Sequence, residues 1–279
     1  MGIYDSVGFS SYALSKGVLS LPERFANILK KKTSSKRVGI PNRGDNGISV
    51  ILCTNRTQFL QNIFSNYGRQ LYKTKELIVI LNNNELDLKR YKTVAGKYPN
   101  VSVYQLDESV SLGRCLNFAV AKANYPLVVK FDDDDYYSPY YLRGVAKCFN
   151  TTGADVLGKK TCYLYLKSRN LLLLFHPNRA NRYTDMVMGS TLAFRRMLFR
   201  KVKFRNVSRG EDTYFFDDCT KNKVKIYSCD PFNYVCIRRS NRFSHTWSID
   251  EKTILKHSLP VTKTNHFPRY ITRVVRVSH

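Results

Sequence analysis

From residue 48 onward the chain alternates short, almost wholly apolar runs with longer stretches in which apolar residues recur every three or four positions. ISVILCT (48–54), ELIVIL (76–81), NVSVYQL (100–106) and PLVVKF (126–131) are runs of the first kind. Apolar at odd and even positions alike, they predict strands buried on both faces. Between them, TQFLQNIFSNYGRQ (57–70) places Phe59, Leu60, Ile63, Phe64 and Tyr67 on one helical face. LGRCLNFAVAKA (112–123) does the same with Leu112, Leu116, Ala119, Val120 and Ala123. SPYYLRGVAKCF (138–149) predicts a further helix, with Ser138 as N-cap and Pro139 in the first turn. Strands and helices in this alternation predict an α/β fold, a mostly parallel central sheet flanked by helices.

The second half is richer in strands. ADVLGKKTCYLYL (154–166) and NLLLLFHP (170–177) read as strands around a KSRN turn, and GSTLAFRR (189–196) as another short one. GEDTYFFDDCTKN (210–222) reads as a helix, with strands at VKIYSC (224–229) and FNYVCIRR (232–239) after it. Residues 1–46 stand apart: an amphipathic helix is predicted at Pro22–Lys31, then a Ser-, Gly-, Pro- and Arg-rich linker. Residues 248–279 form a basic, weakly patterned tail. The predicted organisation is thus a basic extension (1–46), a domain (47–247) with halves 47–135 and 136–247, and the tail.

Charge narrows the function classes. Against 21 Asp and Glu the chain carries 46 Lys and Arg, a net +25 over 279 residues, which predicts an anionic partner or surface. The seven cysteines (53, 115, 148, 162, 219, 229, 236) include no CxxC pair and sit in apolar stretches, as free thiols in a reducing compartment do. No apolar run reaches the ~18 residues of a membrane span and no signal-peptide pattern opens the chain. The expected location is cytoplasmic, with peripheral contact at the inner membrane surface. No zinc finger, RRM signature or basic-region heptad is found, so nucleic acid is not an expected partner.

The strongest chemical signal is FDDDD, in which Asp132, Asp133, Asp134 and Asp135 come directly after a predicted strand. Ligands of open α/β sheets bind beyond the carboxyl ends of strands. Carboxylates so close cannot all stay ionised without raised pKa values or a cation; a hard divalent ion meets that need, and Mg²⁺ binds one or two carboxylates together with water and substrate phosphate. The run therefore predicts a divalent metal and, through it, a phosphate. A second acidic pair, Glu211 and Asp212 in RGEDTYFF, opens a predicted helix.

With these motifs in order, residues 48–247 resemble the GT-A fold glycosyltransferases of family 2, inverting enzymes that use nucleotide sugars. The resemblance rests on ISVILCTNR, LIVILNNN, SLGRCLNFAVAKA, FDDDD, GSTLAFRR and GEDTYFFDD, with SHTW at 244–247 similar to a late histidine-bearing segment. It implies a hexosyl transfer from a nucleotide-sugar donor, UDP-linked first, to a glycan, polymer or lipid-linked acceptor, with Mn²⁺ or Mg²⁺ as cofactor. It implies nucleotide contacts for Thr54, Asn55 and Arg56, for Asn82, Asn83 and Asn84, for Gly113, Arg114 and Asn117, and for Asp132 and Asp133. It implies metal ligation by Asp134 with Asp132 and His245, and catalysis by Asp212 as base beside Glu211. One departure stands out: Asn82–Asn84 occupy the place where relatives usually carry an aspartate for the base. Two other classes remain open from the residues alone. A sugar-phosphate nucleotidyltransferase shares the paired carboxylates, but CTNRTQFL has no glycine to cradle a triphosphate. A nonenzymatic polyanion binder would explain the charge but not the acidic run.

Overall fold

The computed structural model describes residues 47–239 and 249–276. The expected helix at Pro22–Lys31, the linker after it, and the 244–247 segment with His245 lie outside the described residues.

Four parallel strands form the heart of the molecule: β1 (Ile48–Thr54), β2 (Lys75–Leu81), β3 (Val101–Gln105) and β4 (Leu127–Lys130). They stand in the order β3-β2-β1-β4, with Ile51 opposite Ile78 on one side and Lys130 on the other. The apolar residues of both pleat faces are used. Val50, Leu52, Leu77 and Val79 pack with Leu60, Ile63, Phe64 and Tyr67 of helix α1 (Leu60–Gly68). Ile51, Ile78 and Ile80 pack on the opposite face with Cys115, Leu116, Ala119 and Val120 of α3 (Leu112–Lys122). Between β2 and β3, α2 (Leu88–Ala95) is capped by Asp87, whose carboxylate accepts from Arg90 N at 2.9 Å.

Beyond β4 the sheet turns mixed. β10 (Ala193–Arg195) runs antiparallel to β4 and to β6 (Val156–Gly158). β11 (Ile226–Ser228) and the short β9 (Arg182–Tyr183) complete eight strands. A second sheet of five comprises β5 (Tyr136–Tyr137), β7 (Cys162–Leu166), β8 (Leu171–Phe175), β12 (Tyr234–Arg238) and β13 (Ser258–Lys263), in the order β13-β8-β7-β12-β5.

Three local expectations are adjusted. The single strand pattern over 154–166 is two strands in different sheets. Side chains replace the ladder at the break, where Lys159 N donates to Thr191 Oγ1 and Lys160 N to Ser228 Oγ, each at 2.9 Å. Ser138 is not an N-cap: α4 runs from Tyr141 to Thr151, and the Ser138 hydroxyl instead donates to Asn233 Oδ1 at 2.6 Å. The segment read as a basic, weakly patterned tail contains α6 (Glu251–Lys256), β13 and α7 (Pro268–Ile271). β13 pairs antiparallel with β8, and Ile254 and Ile271 are buried.

Candidate active site

Strand order reverses about β1, with β2 and β3 on one side and β4 on the other. Crevices at such switch points are where open α/β sheets bind ligands. Here the crevice is formed by residues just past β1, β2 and β4. Thr54, the last residue of β1, donates its hydroxyl to Asp133 Oδ2 at 2.5 Å. Arg56 grips the same carboxylate through Nε, at 3.1 Å, and Nη2. Its Nη2 also lies 3.3 Å from Asp134 Oδ2. From the other side Arg239 Nη1 donates to Asp134 Oδ2 at 2.9 Å. Both guanidiniums lie over the Phe59 ring, their centres 4.5 and 4.4 Å from its centroid.

The four aspartates have separate surroundings. The Asp132 side chain is 36% exposed and takes Lys130 Nζ at 2.5 Å. Asp135 is buried and accepts from the Tyr234 hydroxyl at 2.5 Å and Ile237 N at 3.0 Å. Burial, with Asp134 and Asp132 adding to it, pushes Asp135 up to about 8. Burial pushes Asp133 up to about 6 against the pull of Arg56. The turn itself is pinned by Asn62, which donates to Asp133 O at 2.7 Å and Asp135 O at 3.0 Å, and by Asn66, which donates to Asp135 O at 2.9 Å. The picture of four acids awaiting one external cation is therefore corrected: Lys130, Arg56 and Arg239 already serve three of them.

Lys130 and Asp132 are two residues apart, the side-chain repeat of a strand, and so share a face. Burial pulls the Lys130 ammonium down, but Asp132, then Glu211 and Asp212, hold it above its ordinary value. Both acidic motifs, about 80 residues apart in sequence, thus favour the charged form of this buried ammonium. The Tyr137 hydroxyl adds a second tie, accepting from Asp132 N at 2.8 Å and donating to Ser190 O at 2.7 Å.

Helix α5 (Glu211–Lys221) begins after Gly210, whose φ of +70° is a turn that glycine adopts without strain. Glu211 points inward and is buried, which raises its pKa while Lys130 opposes the rise. Asp212 lies partly exposed; its Oδ1 accepts from Thr213 N at 2.8 Å. Its Oδ2 rests against the Cα of Gly189, where a methyl group would come within 2.1 Å of it.

On the β2 side, Asn82 N donates to Thr54 O at 2.8 Å. Asn82 Nδ2 donates to the carbonyls of Asp107 (2.9 Å) and Val110 (3.1 Å) in the β3–α3 loop. With both N–H groups consumed, the amide offers only its oxygen to a ligand. Asn83 Nδ2 donates to Asn55 O at 3.2 Å and Asn84 Nδ2 to Asp107 Oδ2 at 3.0 Å. Of the α3 residues, Arg114 is exposed on the first turn. Gly113 and Asn117 face the segment leading to α5. Gly113 N donates to Val207 O at 3.0 Å, and Asn117 both donates to Phe204 O (2.9 Å) and accepts from Phe204 N (3.1 Å). These two residues hold in place the backbone that delivers Glu211 and Asp212.

Sequence reasoning missed Lys130, Phe59, Gly189 and Arg239. Lys130 was within reach, since it shares the strand period of Asp132. Arg239 was not: its partner is 105 residues away and its own neighbourhood reads as an ordinary strand end. A cavity of about 810 Å³ lined by Glu76, Tyr98, Tyr104 and Tyr125 opens elsewhere, at the amino ends of β2 and β3.

Among the described residues no three His, Cys, Asp or Glu side chains gather as a complete metal cage. A hard divalent ion that shares a diphosphate needs only one or two carboxylates, the rest of its shell being water and phosphate. Asp132, a third exposed, and the adjacent Asp134 fit that requirement.

Residues 49–202, more than half of the chain, match the family profile described as glycosyl transferase family 2. The chain belongs to that family. No curated protein matches the chain significantly, but solved structures share its fold. S. aureus TarS 1-349 superposes with a TM-score of 0.56 at 19% identity, over 68% of this chain and 60% of that 1-349 chain. Its complex with UDP-GlcNAc gives 0.54 at 19%, over 73% and 61%. Mannosyltransferase PcManGT from Pyrobaculum calidifontis, in complex with GDP-Man and Mn²⁺, gives 0.55 at 17%, over 77% and 62%. The chain spans about three fifths of the length of these structures. The mixed α/β architecture of the chain, with its large sheet and flanking helices, is the GT-A fold.

Proposed function

We propose that this glycosyltransferase moves a hexose from a nucleoside-diphosphate sugar, UDP-linked first, to a hydroxyl of an anionic acceptor, with inversion and with a divalent cation. The observation that carries the reading is the run of contacts from Asp132, whose N–H donates to the Tyr137 hydroxyl, through that hydroxyl's bond to Ser190 O, to the neighbouring Gly189, against which Asp212 Oδ2 rests. It brings a donor-side acid and an acceptor-side acid to one crevice. The acceptor oxygen attacks the anomeric carbon as the bond to the diphosphate oxygen breaks on the other face, and Asp212 takes the hydroxyl proton. Attack opposite the leaving group inverts the centre. Arg56 and Arg239 supply positive charge where the diphosphate gathers negative charge. A bound Mn²⁺ or Mg²⁺, held by Asp134 with Asp132, would stabilise that charge as a Lewis acid.

Asn82 supports a uracil donor despite the missing aspartate. Its exposed oxygen can only accept, as an aspartate would, and uracil presents N3–H to it. In the same register cytosine N3 presents a lone pair. The donors in the related structures, UDP-GlcNAc and GDP-Man, both carry a ring N–H on the pairing edge. The net charge of +25 supports an anionic glycan, polymer or lipid-linked phosphate as acceptor, and peripheral contact with an anionic inner-membrane surface. Among the described residues no helix is long and apolar enough to cross a membrane.

Calorimetry with UDP and CDP, each with Mn²⁺ and then with chelator, tests the donor site. UDP should bind more tightly than CDP and should lose most of its affinity in chelator. Equal affinity with and without metal refutes the metal role. Equal affinity for both bases refutes the part given to Asn82.

A further inference from the structure

We propose that Arg239 is an exchangeable counter-ion: it neutralises Asp134 in the empty site and passes to the donor's diphosphate when a divalent cation takes Asp134. The inference rests on the reading of this crevice as a metal-dependent donor site, and it adds a residue and a mode of coupling to that reading.

The two guanidiniums on Phe59 are held differently. Arg56 makes a two-pronged contact with the buried Asp133 through Nε and Nη2, and its backbone oxygen accepts from the Tyr91 hydroxyl at 3.3 Å. Its place is fixed by a carboxylate that Thr54 also holds. Arg239 reaches Asp134 through the side-chain oxygen Oδ2, at 2.9 Å, and the backbone oxygen, at 3.3 Å. Its guanidinium lies 4.4 Å from the ring centroid of Phe59, which also carries Arg56. Asp134 Oδ2 is thus shared by two cations.

Charge balance sets the order of exchange. Lys130 answers Asp132, Arg56 answers Asp133, and Arg239 answers Asp134, so each of these three carboxylates has a cation before anything binds. A divalent cation on Asp134 competes with Arg239 for one oxygen and repels it. The diphosphate that arrives with the metal is a multiply charged anion, and the displaced guanidinium is a planar fork suited to phosphate oxygens. The site should therefore resist metal alone and welcome metal and diphosphate together.

Removing the charge of Arg239 must then act oppositely on the two ligands. In Arg239→Gln, Mn²⁺ alone should bind at least about threefold more tightly, because a competing cation is gone. UDP in the presence of saturating Mn²⁺ should bind roughly tenfold more weakly, the usual loss for one charge-assisted contact. Arg239→Lys, which keeps the charge, should leave Mn²⁺ affinity near wild type and restore part of the UDP affinity. Mn²⁺ binding is read by electron paramagnetic resonance and UDP binding by calorimetry, both on the full chain. Wild-type protein that binds both ligands, with Arg239→Gln shifting both affinities in the same direction or neither, overturns the exchange and leaves the donor site standing. Wild-type protein that binds neither ligand overturns the donor-site reading and this inference with it.

Discussion

Gly189→Ala tests the role of Asp212 without altering a titratable group. Gly189 opens a short 3-10 turn, Gly189–Thr191, and its φ is not in the left-handed region, so alanine meets no backbone strain. The new methyl would lie 2.1 Å from Asp212 Oδ2, 2.9 Å from Cγ and 3.0 Å from Cβ. Ordinary contact begins at 3.4 Å, so the carboxylate must retreat by about 1.3 Å. Asp212 is partly exposed at a helix start and can swing, and the expected cost in stability is below ~1 kcal/mol, less than overpacking a closed core. The catalytic cost is larger, since a misplacement of about 1 Å typically lowers rate by about 10²-fold. The assay is sugar transfer together with thermal melting and UDP calorimetry on one preparation. The expected variant melts near wild type, binds UDP–Mn²⁺ normally and transfers about 100-fold more slowly. Full transfer activity in a protein carrying the methyl would refute the placement of the base at Asp212. A melting point lowered by many degrees would show that the Gly189–Asp212 contact is structural.

Three further outcomes are expected. Asp212→Asn keeps the shape and removes the proton acceptor, so turnover should fall by about 10²–10⁴ with little change in melting or UDP binding; unchanged turnover would exclude it as base. Gly113→Ala places a methyl 1.8 Å from the backbone oxygen of Arg205, which cannot step aside. Overpacking should cost roughly 1–3 kcal/mol and lower the melting point by several degrees, with transfer activity falling as the 204–207 segment shifts; a wild-type melting point would refute the close packing. Finally, burial pushes Asp133 up to about 6 and Asp135 up to about 8, above the ~4 of an unfolded aspartate. Between those values the native state holds more protons than the unfolded chain, so their contribution to stability is fully present below about pH 4 and is lost as pH rises through 6 and 8. Asp135→Asn should flatten the decline of apo-protein melting temperature between pH 5 and 8.5 in chelator, and an unchanged slope would count against the buried, protonated state.

Much of this molecule was legible in the sequence because its first half obeys local rules. The apolar runs at 48–54 and 76–81 are strands β1 and β2 over nearly the same residues, and the helical face of Phe64 and Tyr67 is buried where its spacing placed it. FDDDD and GEDTYFF marked the crevice for the same reason: strand ends and helix starts gather chemistry at predictable places. What the chain could not show alone depends on contacts between residues distant in sequence. The two-sheet split at 159–161 is decided by Thr191 and Ser228, the β13 edge strand by β8, and the burial of a weakly patterned tail by Ile254 and Ile271. The partners of the acidic run were not legible for the same reason. Arg56 approaches from 77 residues away and Arg239 from 105, and a carboxylate's partner is set by distance in space, which a linear spacing does not encode. Local propensity and hydrophobic period determined which elements form; only tertiary packing decided which cation answers which aspartate.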